Sequence, residues 1–343
     1  MFNPKYVISP KLLANIKRIS TIVFDLNNKS FPKVILADLE RKAREISAYA
    51  STSIEGNPLP LTDVKNILKT RPPFIRNSER EVLNYNEALL WLNENVKKQF
   101  TFFDLPLVFR IHKTIMKGLI LPSRWGKIRQ EPVFVNDPRT GETTYWPPDH
   151  QDSAGLLKEL FTFISTNEET LDPLIIAGLF HKQFVVIHPF MDGNGRTVRL
   201  ATKVLLARMG LNTFNLFSFE NYYNQNVSTY FQQVGVHGNY YDIKNQIDFT
   251  PWLEYFTDGI IDELLRVSKE LKQNSITPET VLHSHHYLIL EYIKKNGYIT
   301  DKIYSTMTKR ARPTRNQDFN KLLELKLIER MGKSKATIYK LKS

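Results

Sequence analysis

The chain has 343 residues, 42% of them hydrophobic and 24% charged, which is the composition expected of a soluble globular protein with two or three domains. It has no cysteine, which excludes disulfides, thiolate metal sites and cysteine nucleophiles, and no run approaches the roughly 18 apolar residues of a membrane span. The net charge is +12, of which +9 falls in residues 281–343, where 14 Lys and Arg face 5 Asp and Glu. A basic module of that kind meets nucleic acid or is a solvated surface.

The N-terminus, MFNPKYVISPKLL, lacks the apolar core of a signal peptide, so a cytoplasmic protein is expected. Apolar residues at three- and four-residue spacing predict helices over 36–50, 79–92, 105–116, 153–165 and 171–186. Residues 132–145, PVFVNDPRTGETTY, interrupt the helices with a hairpin pattern around a turn at 137–141. Trp146-Pro147-Pro148 follows and is expected to block further pairing. Helical spacing resumes over 197–209, ending at Gly210 as C-cap, again over 219–234, and over 248–272, entered through Thr250-Pro251. The polar stretch 272–281 is expected to be a linker. Beyond it the pattern predicts helices over 285–296, 301–307 (capped by Thr300) and 313–325. Strands over 327–331 and 336–341 follow, around a turn at 332–335. That is a winged-helix outline, with Lys309, Arg310, Arg312 and Arg315 clustered before its third helix, where phosphate contacts would fit.

The chemistry concentrates in His188-Pro-Phe-Met-Asp-Gly-Asn-Gly-Arg-Thr-Val-Arg199, a loop running into a helix. Gly193 and Gly195 flank Asn194, which lets backbone N–H groups converge on an anion. The helix beginning at about Arg196 turns its positive end toward the same place, and Arg196 and Arg199 share one helix face. Asp192 can hold Mg²⁺ beside phosphate oxygens, and His188 can take a proton from a hydroxyl at neutral pH. Together these parts suit phosphoryl or nucleotidyl transfer.

This segment resembles the Fic-domain signature HPFx(D/E)GNGRxxR at every defined position, and the resemblance extends over roughly residues 30–275. It implies a protein adenylyltransferase, with ATP and Mg²⁺ required. His188 would be the general base, Asp192 the metal ligand, and Val186, Gly193, Asn194, Gly195, Arg196, Thr197 and Arg199 the nucleotide-binding residues. Asn226 and Tyr230 would meet adenine, with Tyr222 and Tyr223 as further stacking candidates. The hairpin resembles the family's flap, on which Val133, Phe134, Val135, Thr143, Thr144 and Tyr145 would dock a target strand carrying a Ser, Thr or Tyr hydroxyl. Ser51-Thr-Ser-Ile-Glu55-Gly56-Asn57 resembles the Fic inhibitory motif, so Glu55, with Ser51, is expected to pair with Arg199 until a shift of the helix releases it.

The fold expected is therefore mostly α: a Fic helical core with a β-hairpin flap, plus a C-terminal winged helix-turn-helix domain. Its divisions are 1–100 for the N-terminal helical region with the inhibitory helix, 101–275 for the catalytic core and 281–343 for the winged helix. The partners implied are a target protein and the chain itself. For the basic module DNA binding stands beside protein docking or homodimerisation, and no membrane is expected. Removal of AMP by the same site, a DNA-binding regulator with a nucleotide-sensing core, and donors other than ATP remain as alternatives.

Overall fold

The computed structural model describes residues 2–28, 33–72, 74–97, 103–136, 140–207, 216–273, 282–325, 327–332 and 337–342. The chain divides into two compact units, Met1–Ser30 with Leu39–Glu270 and Phe31–Asp38 with Leu271–Ser343. Among the described residues no helix is long and apolar enough to cross a membrane. The predicted turn at 137–141, the cap at Gly210, the linker 272–281 and the wing tip at 332–335 fall wholly or largely outside the described residues.

The first unit opens with α1 (Pro10–Asn27), whose N-cap Ser9 accepts from Leu12 N, with Pro10 in the first turn. Its buried residues Leu12, Ile19, Val23 and Leu26 follow helical spacing, although α1 is not among the expected helices. The next helices are α2 (Lys33–Ile54), α3 (Leu61–Thr70, also not anticipated), α4 (Asn77–Lys97) and α5 (Leu105–Met116). After the hairpin come α6 (His150–Asn167), α7 (Pro173–Ile187) and α8 (Asn194–Ala207). Every residue of α7 from Leu174 to Phe184 is buried, as expected of a helix apolar on all sides at the centre of a domain.

The predicted helix over 219–234 is two: α9 (Glu220–Gln225) and α10 (Val227–Val234). Asn226 leaves helical geometry (φ −144°, ψ 79°), and its side chain accepts from Thr229 N to cap α10. An Asn that can hydrogen-bond nearby backbone competes with helix continuation, and here it wins. α11 (Tyr240–Ile243) and α12 (Thr250–Gln273) complete the first unit's helices up to Glu270.

The hairpin strands β1 (Val135–Asn136) and β2 (Thr143–Trp146) pair antiparallel in the register Val135↔Tyr145, with a bulge between Val135 and Asn136. Contrary to expectation, pairing does not stop before Trp146. The other edge of β2 runs parallel to β3 (Gly238–Asn239), with Tyr145 opposite Gly238 and Trp146 opposite Asn239. Pro147 and Pro148 end the strand one residue later than predicted, because a proline removes only its own N–H from the ladder. Tyr145, Val186, Leu179, Leu253 and Phe249 share one buried cluster that ties the sheet to α7 and α12.

The second unit contains α13 (Ser284–Asn296), α14 (Asp301–Met307), α15 (Arg312–Glu324) and the antiparallel pair β4 (Ile328–Met331) and β5 (Ile338–Leu341). Ile299 bridges Tyr339 on the free side of β5. Ile289, Ile293, Tyr304, Phe319, Leu322 and Ile328 fill its core, and Phe319 stacks on Tyr339 at 4.1 Å between ring centres. The basic cluster is not uniformly available for phosphate. Arg315 forks onto both oxygens of Asp301 (2.8 and 3.0 Å), and Arg310 onto both of Asp318 (2.9 and 3.0 Å). Asp318 is buried, and Tyr304 Oη also donates to it at 2.9 Å. Lys309 and Arg312 are the exposed members, Arg312 with its Nε 4.0 Å from Asp301.

Candidate active site

α7 ends at His188, which takes a left-handed conformation (φ 50°, ψ 58°) and donates its N–H to Phe184 O. The following Pro189 disfavours helical geometry at His188, so this turn follows from the local sequence. His188 Nδ1 lies 3.3 Å from Val185 O. A carbonyl only accepts, so Nδ1 carries the proton and Nε2 keeps its lone pair. Burial, followed by the nearby Arg129 guanidinium, pushes the His188 pKa down to about 4, against the opposing charges of Glu55 and Asp192. The imidazole is therefore neutral at pH 7 and competent to accept a proton.

The loop after His188 is shaped by its own side chains. Asn194 closes a reciprocal pair with Phe190, accepting from Phe190 N at 2.9 Å and donating to Phe190 O at 2.8 Å. It is 3% exposed, so its side chain shapes the anion hole from behind and does not line it. Gly193 turns at φ +78°, where an L side chain would be strained. Helix α8 starts at Asn194, two residues earlier than predicted, which directs the unpaired N–H groups of its first turn into the loop. Thr197 N donates to Gly193 O, and its buried Oγ1 has no hydrogen-bond partner among the described residues.

The two arginines of α8 take different partners. Arg199 is fully buried. Its Nε donates to Ser51 Oγ (2.8 Å), and its Nη2 donates to Ser51 O (2.8 Å) and Glu55 Oε1 (2.7 Å). The predicted contact between Glu55 and Arg199 is thus present. The Glu55 carboxylate also presses against the glycine loop, because a Cβ on Gly195 would overlap Glu55 Oε1. A carboxylate already lies where the loop is built to receive an anion. Arg196 turns elsewhere, with Nη2 3.0 Å from Asp192 Oδ1 and Nη1 3.4 Å from Glu81 Oε1. Asn57, two residues after Glu55, donates to Glu81 Oε2 at 2.9 Å.

A second buried network backs the first. Lys203, one turn beyond Arg199, donates to Ser47 Oγ (3.0 Å) and Phe217 O (2.8 Å), with Glu220 Oε2 3.4 Å away. Glu220 accepts from Tyr85 Oη at 2.8 Å. So α2 is fastened to α8 at two successive turns, through Ser47 and through Ser51.

Other expected site residues lie differently. Tyr230 is 1% exposed, with its Oη 3.1 Å from His181 Nε2 and 3.4 Å from Arg199 Nη1. Tyr223 is fully buried and stacks on Tyr230, so neither ring is open to a base as placed, whereas Tyr222 is partly exposed. Asn226 is engaged as a helix cap. Val186 sits in the core, with its carbonyl accepting from Tyr145 Oη at 2.8 Å. That contact turns Tyr145 inward, away from any docked strand. Thr144 Oγ1 donates to Val135 O and Thr143 Oγ1 to Asn136 Oδ1. Val133 and Phe134 precede the strand, Phe134 well exposed.

Two further buried residues support the site from outside it. His112 accepts from Gly126 N at Nδ1 (2.9 Å) and therefore donates from Nε2 to Asp192 O (3.0 Å), with its ring stacked on Phe190. Arg129 donates from Nε to His188 O at 2.9 Å. In the sequence Arg129 ends the segment Gly126-Lys-Ile-Arg129, part of the stretch 111–129 that resembles the Fic core and its G-x-x-R segment, whereas His112 is only a polar residue within a helical pattern, and the burial of both is a tertiary property.

Residues 102–206 match the profile of the Fic/DOC family. Among curated proteins, the chain is 33% identical over 169 residues to a protein adenylyltransferase Fic of Nematostella vectensis, a match spanning 47% of this chain and 37% of that one. To the protein adenylyltransferase Fic of Aedes aegypti it is 29% identical over 217 residues, 58% of this chain and 42% of the other. The chain thus spans less than half the length of these relatives. Among solved structures it resembles a Fic family protein from Desulfovibrio desulfuricans G20 (TM-score 0.69, 20% identity, 99% of this chain and 98% of that one). It also resembles a Fic domain containing signaling protein from Bacteroides thetaiotaomicron (TM-score 0.60, 20% identity, 76% and 97%).

Proposed function

The chain carries a Fic domain, and from that premise we propose that it transfers AMP from ATP to a Ser, Thr or Tyr hydroxyl of a protein, itself included, and is held in check by Glu55. The observation that carries this reading is the Glu55 carboxylate, bonded to buried Arg199 and lying against Gly195. A site with a resident carboxylate in its anion hole is built for anions and is withheld from them.

In the reaction the target hydroxyl oxygen forms a bond to the α-phosphorus and the bond from that phosphorus to the bridging oxygen breaks. Pyrophosphate leaves and the hydroxyl proton passes to His188 Nε2. Arg199, freed from Glu55, holds the γ end of the triphosphate, and the first-turn N–H groups of α8 hold the phosphates nearer the reacting centre. Asp192 suits Mg²⁺, because its side chain is 55% exposed and only Oδ1 has partners among the described residues. The ion would supply neutralisation of phosphate charge.

Release of the brake by moving the whole of α2 would break both the Ser51–Arg199 and the Ser47–Lys203 contacts. A swing of Glu55 alone breaks one charge-assisted bond, worth about 1.5–3 kcal/mol. Glu55 lies just past the end of α2, so the swing is the route of lower cost and is proposed beside the helix shift expected from sequence.

The target strand has one open edge of the hairpin, that of β1, because β2 is flanked by β1 and β3. DNA binding by the second unit would rest on Lys309 and Arg312, since Arg310 and Arg315 are engaged by acids.

ATP labelled on the α-phosphate, in parallel with ATP labelled on the γ-phosphate, tests the reaction with wild type, Glu55→Gly and Glu55→Gly/His188→Ala. Covalent α label without γ label in Glu55→Gly is the expected result. Incorporation of γ label would make the chain a kinase and overturn the reading.

A further inference from the structure

Arg129 carries an arrangement that the reaction above does not use. Its side chain is 97% buried, yet among the described residues it forms no ion pair. Its three nitrogens fan out to three main-chain carbonyls from separate stretches of chain. Nε donates to His188 O (2.9 Å), Nη1 to Glu131 O (3.2 Å) and Nη2 to Pro148 O. Its own backbone N–H donates to Pro189 O at 2.9 Å. Glu131 lies four residues before β1 and Pro148 two residues after β2, so these are the two feet of the hairpin.

A buried guanidinium whose hydrogen bonds all go to neutral carbonyls is costly to desolvate, and burial lowers its pKa against the charge of Asp149, which acts on it without an ion pair. Lysine has one nitrogen and cannot reach three divergent acceptors, whereas the planar guanidinium can. The residue is therefore suited to geometry, and the geometry joins the base to the hairpin.

We propose that Arg129 is a positioning residue that fixes both feet of the hairpin to the His188 turn, and so sets how far a hydroxyl presented on the β1 edge stands from Nε2. This rests on the adenylyl-transfer reading. It requires that Arg129 govern delivery of the protein hydroxyl while leaving the nucleotide where Arg199 and the α8 N-terminus hold it. A displacement of about 1 Å at the acceptor costs on the order of 100-fold in rate.

The test uses the full chain with Glu55→Gly as parent, and adds Arg129→Met or Arg129→Lys. Four readouts are taken: transfer of α-phosphate label to protein, release of pyrophosphate with water as acceptor, affinity for a fluorescent ATP analogue, and melting temperature. In Arg129→Met, transfer to protein is expected to fall about 100-fold while water-driven turnover and nucleotide affinity stay within about threefold of the parent. Arg129→Lys, which keeps the charge and one donor, is expected to fall between. The Arg129 charge also helps to keep His188 neutral, against the charge of Asp192. The acidic limb should therefore move to higher pH in the Met variant and stay at the parent's position in the Lys variant, which keeps the charge, whereas a lesion that merely admits water to His188 would move it in both.

Transfer equal to the parent in Arg129→Met would overturn the proposal. So would a parallel loss of nucleotide affinity at unchanged melting temperature, which would place Arg129 in the nucleotide pocket. If Arg129→Met does not fold, Arg129→Lys decides: reduced transfer at the parent's melting temperature supports the proposal, and parental transfer sinks it. A parent that transfers no label defeats the adenylyl-transfer reading itself, a result independent of either Arg129 variant.

Discussion

The arginines of α8 and those around α15 make an instructive contrast. Both sets are paired to carboxylates, and by charge count alone the α15 set is the more promising binder. In the second unit the partners are near in sequence: Arg310 holds Asp318 and Arg315 holds Asp301, eight and fourteen residues apart. Those pairs tie a small core together and leave little for a ligand. Arg199 instead takes Glu55 from 144 residues away, beside the glycine loop at the N-terminus of α8. The same ion pair is scaffolding in one place and, on the proposed function, a competitor for substrate in the other. What separates them is whether a second anion could take the carboxylate's place.

The largest effect tests the competent side of that contrast. In a Glu55→Gly background, His188→Ala is expected to lower AMP transfer by about 10²–10⁴-fold, read by label incorporation. Retained labelling would remove His188 as base. Next, Glu55→Gly alone is expected to raise self-labelling by about 10–150-fold, the equivalent of the 1.5–3 kcal/mol bond it deletes. Labelling equal to wild type would make the Glu55 contact as structural as that of Asp318.

On the scaffolding side, Asp318→Ala strands Arg310 and the Tyr304 hydroxyl. It is expected to destabilise the second unit by about 3 kcal/mol, discounted because Arg310 is one-third exposed. Urea unfolding of the full chain would report this, while labelling by the Glu55→Gly parent should be unaffected. A loss of labelling in step with the second unit would break the comparison. The smallest expected effect is Asn226→Ala, about 1 kcal/mol from a lost N-cap, read as a lowered melting temperature.

The pH dependence sharpens the assignment of His188. The reactive form is neutral and its pKa is about 4, so the acidic limb of transfer should lie near pH 4, with activity flat between about pH 5 and 8. The sign follows from burial, which disfavours the imidazolium. A limb near pH 6.5 would mean that the imidazole is solvated.

Much of the site was legible because its parts are contiguous. Twelve residues from His188 to Arg199 hold the base, the carboxylate, the glycines and both arginines. Local chemistry dictates the turn at His188-Pro189 and the glycine loop. The helix boundaries were legible wherever one apolar face repeats, as in α5, which matches its expected span of 105–116. They failed at Asn226, where a side chain competes with the backbone. They failed also at β3, a two-residue strand with no pattern of its own.

Sequence alone thus determined which chemical groups stand together in one segment, since residue type, spacing and turn propensity are local quantities. Only the tertiary structure decided which groups are free to perform it. Arg199 and Arg196 read alike in the sequence, yet one faces Ser51 and Glu55 and the other Asp192 and Glu81. Tyr145 and Tyr230 read as ligand contacts and are buried in hydrogen bonds to Val186 O and His181. His112 reads as an ordinary polar residue and Arg129 as the end of a resembling segment, and both hold the 188–193 loop from beneath. Burial and pairing depend on what distant segments bring, and a buried polar group must find its partner wherever packing supplies one.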